Sequence, residues 1–106
     1  MSSEVSVEAP LILLHPDDNI ASLTRGIRAG DPLRIDGREY RAAGNFGLGH
    51  KIAVLAVAPG EKIIKWGAPI GSATQAIAPG QHVHLHNMKS DYLPTYTLED
   101  GKKYEA

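Results

Sequence analysis

The run Val57-Ala58-Pro59-Gly60 recurs further along the chain as Ile77-Ala78-Pro79-Gly80. Pro-Gly is a favourable centre for a type II turn, because Pro fixes φ and Gly accepts a positive φ. Each copy precedes a short segment predicted to be extended, residues 61–66 after the first copy and 81–87 after the second. The repeat therefore predicts two similar turn-and-strand units, and two copies are too few for a solenoid.

Further turn signals lie upstream of this repeat. Asp36-Gly37 separates two extended runs, residues 33–35 and 38–41, and predicts a hairpin because both turn residues need positive φ. A short apolar run at residues 11–14 predicts a buried strand. The 11 glycines and 7 prolines are spread along the chain as turn residues. Many turns between short runs favour a mainly β fold.

One short helix is predicted near residues 18–28. Asp17 or Asp18 would cap its free backbone N–H groups, where a negative charge also suits the helix dipole. Gly30 follows at the position where a left-handed residue ends a helix. The apolar face has spacings of three and four residues: Ile20, Leu23 and Ile27.

The length of 106 residues fits one domain. We expect a disordered N-terminus at 1–9 and a folded domain at 10–90. Residues 91–106 are more polar and contain a second Asp-Gly pair, Asp100-Gly101. We interpret them as a tail or hairpin that can dock on a partner.

Composition excludes several classes of protein. The net charge is -1 and the basic residues are scattered, which argues against a nucleic-acid or anionic membrane surface. There is no cysteine, hence no disulfide, thiolate zinc site or thiol nucleophile. The first ten residues lack the features of a signal peptide, and no apolar run is long enough to span a bilayer. We expect a soluble, cytoplasmic protein.

Three histidines alternate with aliphatic residues at His82, His84 and His86. Alternate residues of a strand share a face, so the three imidazoles are predicted to line one side. Two of the three are candidate ligands for one metal ion. The alternative is a polar, solvent-facing strand edge, and alternation alone does not decide between these interpretations.

Two other segments carry candidate residues. His15 precedes the predicted helix start, where Asp17 and Asn19 lie and where exposed N–H groups suit a carboxylate ligand. One capping residue suffices there, so another is free to meet a ligand. His50 and Lys51 follow a glycine-rich loop that allows close approach to an anionic group. The alternatives are a loop histidine that caps the backbone and a solvated lysine at a strand end.

Four runs together resemble the N-terminal module of altronate and galactarate dehydratases, which also forms the small subunit of two-chain relatives such as sulfolactate sulfo-lyase. The runs are HPDDNI at 15–20, GHKIA at 49–53, IKWGAPIGSAT at 64–74 and IAPGQHVHLHN at 77–87. The resemblance implies an SAF-type β-clip fold over residues 10–90. It also implies that the catalytic bulk lies on a separate large subunit, since the single-chain enzymes are far longer.

The function implied by this resemblance is that of a hydro-lyase subunit, inactive alone, acting on a sugar acid with iron(II) or magnesium shared with the large subunit. Carried over by position, the catalytic candidates are His15, His50, Lys51, His84 and His86. The substrate-binding candidates are Asp17, Asn19 and Asn87, and the metal candidates are His84 and His86. His82 has the least support among the alternating histidines. A homo-oligomer is a further expectation, and a stand-alone carbohydrate- or anion-binding module is the competing hypothesis.

Overall fold

A computed structural model describes residues 5–91 of the chain. Nine strands account for its regular structure, and no helix is present between residues 5 and 91. The strands are β1 (Leu11–Ile12), β2 (Ile20–Leu23), β3 (Pro32–Ile35), β4 (Arg38–Arg41), β5 (Lys51–Ala53), β6 (Lys62–Lys65), β7 (Ala68–Ala73), β8 (His82–Val83) and β9 (Met88–Lys89).

These strands form three antiparallel sheets. The central sheet has the order β1-β2-β5-β8, β3 and β4 form a two-stranded hairpin, and β6-β7-β9 form the third sheet. The predicted hairpin around Asp36-Gly37 is confirmed, with φ of 55° and 80° at its two turn residues. Trp66-Gly67 makes an equivalent turn between β6 and β7, with φ of 58° and 75°. The mainly β fold class is thus confirmed.

The central sheet buries side chains on both of its faces. Ala21 pairs with Ile52, and both belong to a hydrophobic cluster that the β3–β4 hairpin covers. The neighbouring pair, Ile20 and Ala53, belongs to a second cluster, which the β6–β7 hairpin covers. Because alternate residues of a strand point to opposite faces, β2 and β5 link the two clusters.

The two halves of the domain follow one backbone plan. Residues 21–41 and 51–71 show the same succession of strands and turns. In each half an antiparallel bridge joins two turn-preceding residues, Ile27 with Phe46 and Val57 with Ile77. Each of these four residues is followed by a tight turn whose third residue is a glycine with φ between 86° and 90°: Gly30, Gly49, Gly60 and Gly80.

The two predicted Pro-Gly turns are confirmed as members of this set. The Glu61 N–H donates to the Ala58 carbonyl at 3.0 Å, and the Gln81 N–H donates to the Ala78 carbonyl at 3.1 Å. Positive φ at the third residue with this hydrogen bond is the type II geometry that Pro-Gly favours.

The predicted helix near residues 18–28 is wrong. Residues 20–23 form β2 at the centre of the sheet, and all four are buried. A strand buried on both faces loses the alternation that identifies strands, so the spacing of Ile20, Leu23 and Ile27 resembled a helical face. Gly30 does have positive φ, but it belongs to a tight turn.

Asp18 is also not a helix cap. Its side chain is 1% exposed, and its two carboxylate oxygens accept the backbone N–H groups of Trp66 and Gly67 at 3.0 and 2.8 Å. The segment that precedes β2 is therefore fastened to the turn between β6 and β7.

The ends of the described region are also held in place. The sequence suggested an unstructured N-terminus up to residue 9, whereas Val7 pairs with Ile35 of β3. At the other end, the Asp91 carboxylate contacts Lys62 Nζ at 2.7 Å and Ser72 Oγ at 2.8 Å. The rest of the predicted tail or hairpin, from residue 92 onward, lies outside the described residues. Residues 5–91 contain no helix long and apolar enough to cross a membrane.

Asp18→Ala is expected to lower the free energy of unfolding by about 2–4 kcal/mol, because the N–H groups of Trp66 and Gly67 lose the buried side chain that accepts both of them. Asp18→Asn keeps one acceptor oxygen and is expected to lose less. The exposed neighbour provides the matched control, Asp17→Ala, with a change within about 0.5 kcal/mol. Urea unfolding measures all three, and equal stability of the Asp18→Ala and Asp17→Ala variants would contradict this role.

Candidate functional site

Pairing of β5 with β8 gathers four histidines at one edge of the central sheet. Ile52 of β5 lies opposite His82 of β8, so His50 approaches His82 from the start of β5. The ring centroids lie 5.0 Å apart for His50 and His82, 5.7 Å for His82 and His84, and 5.6 Å for His82 and His86. We call these four residues the histidine cluster.

The sequence predicted that His82, His84 and His86 lie along one strand. In the structure they do not. β8 ends at Val83, and residues 84–87 form a turn in which the Asn87 N–H donates to the His84 carbonyl at 3.0 Å. This turn brings His86 back toward the His82 ring. The extended segment predicted for residues 81–87 is therefore wrong beyond Val83.

The buried side chain of Asn87 explains the turn. Its Oδ1 accepts the His84 N–H at 3.0 Å, and its Nδ2 donates to the His82 carbonyl at 2.9 Å. Asn side chains compete with the strand ladder for backbone groups in this way. The sequence predicted Asn87 as a substrate-binding residue, whereas the structure places its polar atoms on the backbone that carries the histidines.

His82 is the central member of the histidine cluster. Its Nε2 lies 2.8 Å from His50 Nδ1, which requires that one nitrogen carries a proton and the other accepts it. The Phe46 ring stacks on His82 with centroids 4.0 Å apart and an interplanar angle of 15°. Burial, and then the nearby positive charges of the other cluster histidines and Lys51, lower the pKa of His82 to about 4.

His82 had the least support among the three alternating histidines in the sequence analysis, and Phe46 was not a candidate. Phe46 is brought to the cluster by its bridge to Ile27, a pairing between residues 19 positions apart. No local pattern signals such a contact. In the sequence, only the recurrence of the tight turns indicates that the glycine-rich loop before His50 pairs with the segment around Ile27.

An open cavity of about 350 Å³ adjoins the cluster. Phe46, His82, His86 and Asn87 line it together with Ala43, Gln75, Ala76 and Gln81. His84 and His86 are exposed, so their rings are available to a ligand or a second protein chain. The cluster therefore combines a shielded, neutral imidazole with two accessible ones.

Lys51 directly follows His50 and is half-buried. Burial, and then the positive charge of Lys65, lower the pKa of Lys51. Lys65 ends β6 and is also half-buried.

The remaining candidate residues lie in the segment before β2. The His15 ring lies against Gly67, where an added Cβ would come within 2.9 Å of Nε2. His15 Nδ1 accepts the Asp17 N–H at 3.0 Å, while the Asp17 side chain is exposed. Asn19 is bound to the backbone of β6: its Nδ2 donates to the Lys62 carbonyl at 2.9 Å, and its Oδ1 accepts the Ile64 N–H at 2.8 Å. The structure thus brings together four of the candidates: His50, Lys51, His84 and His86. The segment before β2 lies instead at the β6–β7 hairpin.

The residues between 5 and 91 do not fit a complete metal site. They contain no group of three or more histidine, aspartate or glutamate side chains arranged to hold an ion. His50 and His82 also direct one nitrogen each toward one another. At most, His84 and His86 could offer imidazoles to an ion whose other ligands come from elsewhere.

We expect His82 to titrate near pH 4 in the folded chain, against an ordinary value of 6.5. The unfolded chain then binds more protons in this interval, so the stability due to neutral His82 is complete above pH 6.5 and is lost as the pH falls toward 4. NMR titration of the imidazole signals measures the pKa, and urea unfolding of His82→Gln should show a weaker pH dependence over the same interval. Titration of His82 at its ordinary pKa would contradict the shielded position.

Asn87→Ala is expected to lower the free energy of unfolding by about 1–3 kcal/mol, since it leaves the His84 N–H and the His82 carbonyl without their partner. Asn87→Asp retains the acceptor for the His84 N–H and is expected to lose less. The imidazole NMR signals of His84 and His86 should also change as the turn relaxes. Unchanged stability and unchanged imidazole signals in Asn87→Ala would show that the turn forms without this side chain.

Comparison with known proteins defines the class of this domain. The family model described as the altronate/galactarate dehydratase SAF domain matches residues 9–91. The chain therefore belongs to this family of SAF domains.

The individual relatives differ in how much of their own length the alignment covers. Altronate dehydratase of Bacillus subtilis is 36% identical over 80 residues, and altronate dehydratase of Escherichia coli is 35% identical over 80 residues. Each alignment covers 76% of this chain but only 16% of the relative, so the chain matches about a sixth of those enzymes. The (2R)-sulfolactate sulfo-lyase subunit alpha of Paracoccus pantotrophus is 35% identical over 57 residues, covering 52% of this chain and 85% of that subunit.

Proposed function

We propose that this chain is the small subunit of a hydro-lyase that dehydrates a sugar acid of the altronate or galactarate type. The product is a 2-keto-3-deoxy acid, and a large subunit completes the active site. The single observation that carries this proposal is the histidine cluster, in which accessible imidazoles adjoin the hydrogen-bonded His50–His82 pair within a dehydratase-family domain.

The elimination step of the proposed reaction needs two proton transfers. A base removes the proton from the carbon beside the substrate carboxylate, and an acid protonates the hydroxyl that leaves the neighbouring carbon as water. The resulting enol becomes the 2-keto acid when its β-carbon takes up a proton and its hydroxyl loses one. An imidazole suits both transfers because its ordinary pKa lies near neutral pH.

Within the cluster, His84 and His86 are the best placed for proton transfer because their rings are exposed. His82 is half-buried, and its lowered pKa keeps it neutral, so its role is to orient His50 through the bond between their rings. The Asn87 side chain holds the backbone of His84 in position by accepting its N–H. His15 remains a catalytic candidate, and its ring would reach the substrate from its position against the β6–β7 turn.

The large partner is proposed because the histidine cluster is chemically incomplete. Residues 5–91 hold no metal-binding group of three side chains, and no carboxylate lines the cavity beside the cluster. Iron and magnesium bind carboxylate oxygens readily, so a shared ion would take those ligands from the large subunit and imidazoles from His84 and His86. The naming of the Paracoccus relative as a subunit supports a two-chain arrangement.

Two observations favour alternative functions for this domain. The high coverage of the Paracoccus subunit favours a sulfo-lyase small subunit acting on sulfolactate. The lack of a complete metal-binding group in the described region favours a stand-alone binding module for a carbohydrate or an anion. Both alternatives place the ligand at the same cluster, and they differ in the reaction that follows.

Reconstitution of the chain with its large partner tests the proposal. We expect dehydration of altronate or galactarate by the complex and none by the lone chain. His84→Ala is expected to lower kcat by about a hundredfold or more, the range over which a positioned acid or base acts. A coupled assay for the 2-keto product measures turnover.

The matched control is Arg38→Gln, an exposed substitution on the β3–β4 hairpin, for which kcat should stay within about twofold of the unmodified chain. Turnover of sulfolactate with release of sulfite would select the sulfo-lyase. Normal kcat in an assembled His84→Ala complex would place the chemistry outside this cluster. No partner and no turnover with any of these acids would favour the binding module.

A further inference from the structure

The four equivalent tight turns differ in the residue that follows the positive-φ glycine. After three of them, a side-chain oxygen accepts the backbone N–H of the residue three positions earlier, at 2.9, 2.6 and 2.7 Å: Asp31, Glu61 and Gln81. After the fourth turn comes His50, whose ring bonds to His82 instead. A carboxylate and an amide therefore close the same kind of turn equally well.

Gln81 differs from Asp31 and Glu61 because it also has a donor. The backbone N–H of Ala78 can only donate, so its partner on Gln81 is Oε1, and the Nε2 amide group is left over. This Nε2 group has no hydrogen-bond partner among residues 5–91. Gln81 lines the open cavity beside the histidine cluster, where a glutamate at this position would place a negative charge.

A second amide side chain, Gln75, lines the same cavity. Its Nε2 donates to the His86 carbonyl at 3.0 Å, so its Oε1 is left as an acceptor that no residue of the described region bonds. None of the residues between 5 and 91 that line the cavity is Asp, Glu, Lys or Arg. The wall thus combines one uncharged donor and one uncharged acceptor with apolar and imidazole groups.

We propose that this cavity binds the hydroxyl-bearing carbon chain of a sugar acid and that Gln81 and Gln75 select for it. Gln81 Nε2 would donate to one hydroxyl oxygen, and Gln75 Oε1 would accept from another hydroxyl. A hydroxyl both donates and accepts, so a pair of amides complements a polyhydroxylated chain. Phe46 and the alanines of the wall would contact its C–H groups. The volume of about 350 Å³ lies within the range of small-molecule sites.

The identity of the acid rests on the proposed function, whereas the preference for hydroxyl groups rests on the two amides. The assignment favours a sugar acid over sulfolactate, because sulfolactate has a single hydroxyl and cannot bond to both amides. It also accounts for an amide at position 81, where the equivalent turns have carboxylates. A carboxylate there would repel an anionic ligand.

NMR of the side-chain amides in the full-length chain tests the assignment with galactarate and adipate. The two diacids share one carbon chain, and adipate lacks the hydroxyl groups. Galactarate is expected to shift the amide signals of Gln75 and Gln81 saturably, whereas adipate at the same concentration leaves them unchanged. Sulfolactate is expected to bind about tenfold more weakly than galactarate, since it loses one hydrogen bond.

Gln81→Glu keeps the oxygen that closes the turn, as Glu61 does in the equivalent turn, and replaces the donor by a charged oxygen. It is expected to weaken galactarate binding about tenfold or more, because one hydrogen bond is lost and a like charge is added. The matched control is Glu61→Gln, the reverse exchange at a residue that does not line this cavity. It should change the affinity less than about twofold.

The proposal is overturned by an equal response to adipate, by equal affinity for sulfolactate, or by unchanged galactarate affinity in folded Gln81→Glu. It is also overturned if the amide signals do not change up to about 50 mM galactarate, well above millimolar dissociation constants. The backbone NMR spectrum shows whether Gln81→Glu folds. If it does not, the comparison of galactarate with adipate in the unmodified chain decides.

Failure of this assignment is distinguishable from failure of the proposed function. Hydroxyl-selective binding by a chain whose complex shows no turnover would retain the assignment and refute the hydro-lyase. An active complex in which Gln81→Glu leaves KM for the sugar acid unchanged would retain the hydro-lyase and refute the assignment.

Discussion

The register between β5 and β8 is the constraint on which the candidate site depends. Ile52 opposite His82 places one side chain in the hydrophobic cluster and the other beside His50 and Phe46. A slip of one residue would move His82 to the opposite face, where Val83 is now buried, and would expose Val83. The complete burial of Val83 therefore fixes the position of the imidazole.

The repeated turn plan sets that register. His50 and Gln81 end equivalent turns in the two halves, and each accepts a 2.9 Å backbone hydrogen bond: Leu23 donates to the His50 carbonyl, and Ala53 donates to the Gln81 carbonyl. Two equivalent turns thus deliver β5 and β8 to neighbouring positions in one sheet. The repeat stabilises the fold, and the departure from it after Val83, where Asn87 forms a turn, creates the compact group of histidines.

The sequence predicted the features that depend on local chemistry. Asp36-Gly37 and the two Pro-Gly pairs specify turns because few other residues accept their φ values, and these turns form as expected. The family was also correctly predicted, since four separate runs carried the resemblance. The contact of Phe46 with His82 depends on pairing between distant segments and had no local signal.

The incorrect prediction of a helix near residues 18–28 also has its cause in pairing between distant segments. Between Asp17 and Ile27 the sequence has two acidic residues before regularly spaced apolar ones, which is also the pattern of a helix start. Tertiary contacts decide otherwise, because β2 lies between β1 and β5 and Asp18 binds the amides of a distant turn. Local propensity is outweighed where both faces of a segment are buried.

The central claim is that the histidine cluster faces a site completed by a second chain. A structure of the assembled complex with a bound sugar acid tests it most directly. The account predicts ligand oxygen atoms within hydrogen-bonding distance of His84 or His86, with carboxylates of the large subunit on the opposite side of the ligand. A ligand bound entirely within the large subunit, with the histidine cluster still open to solvent, would contradict the account.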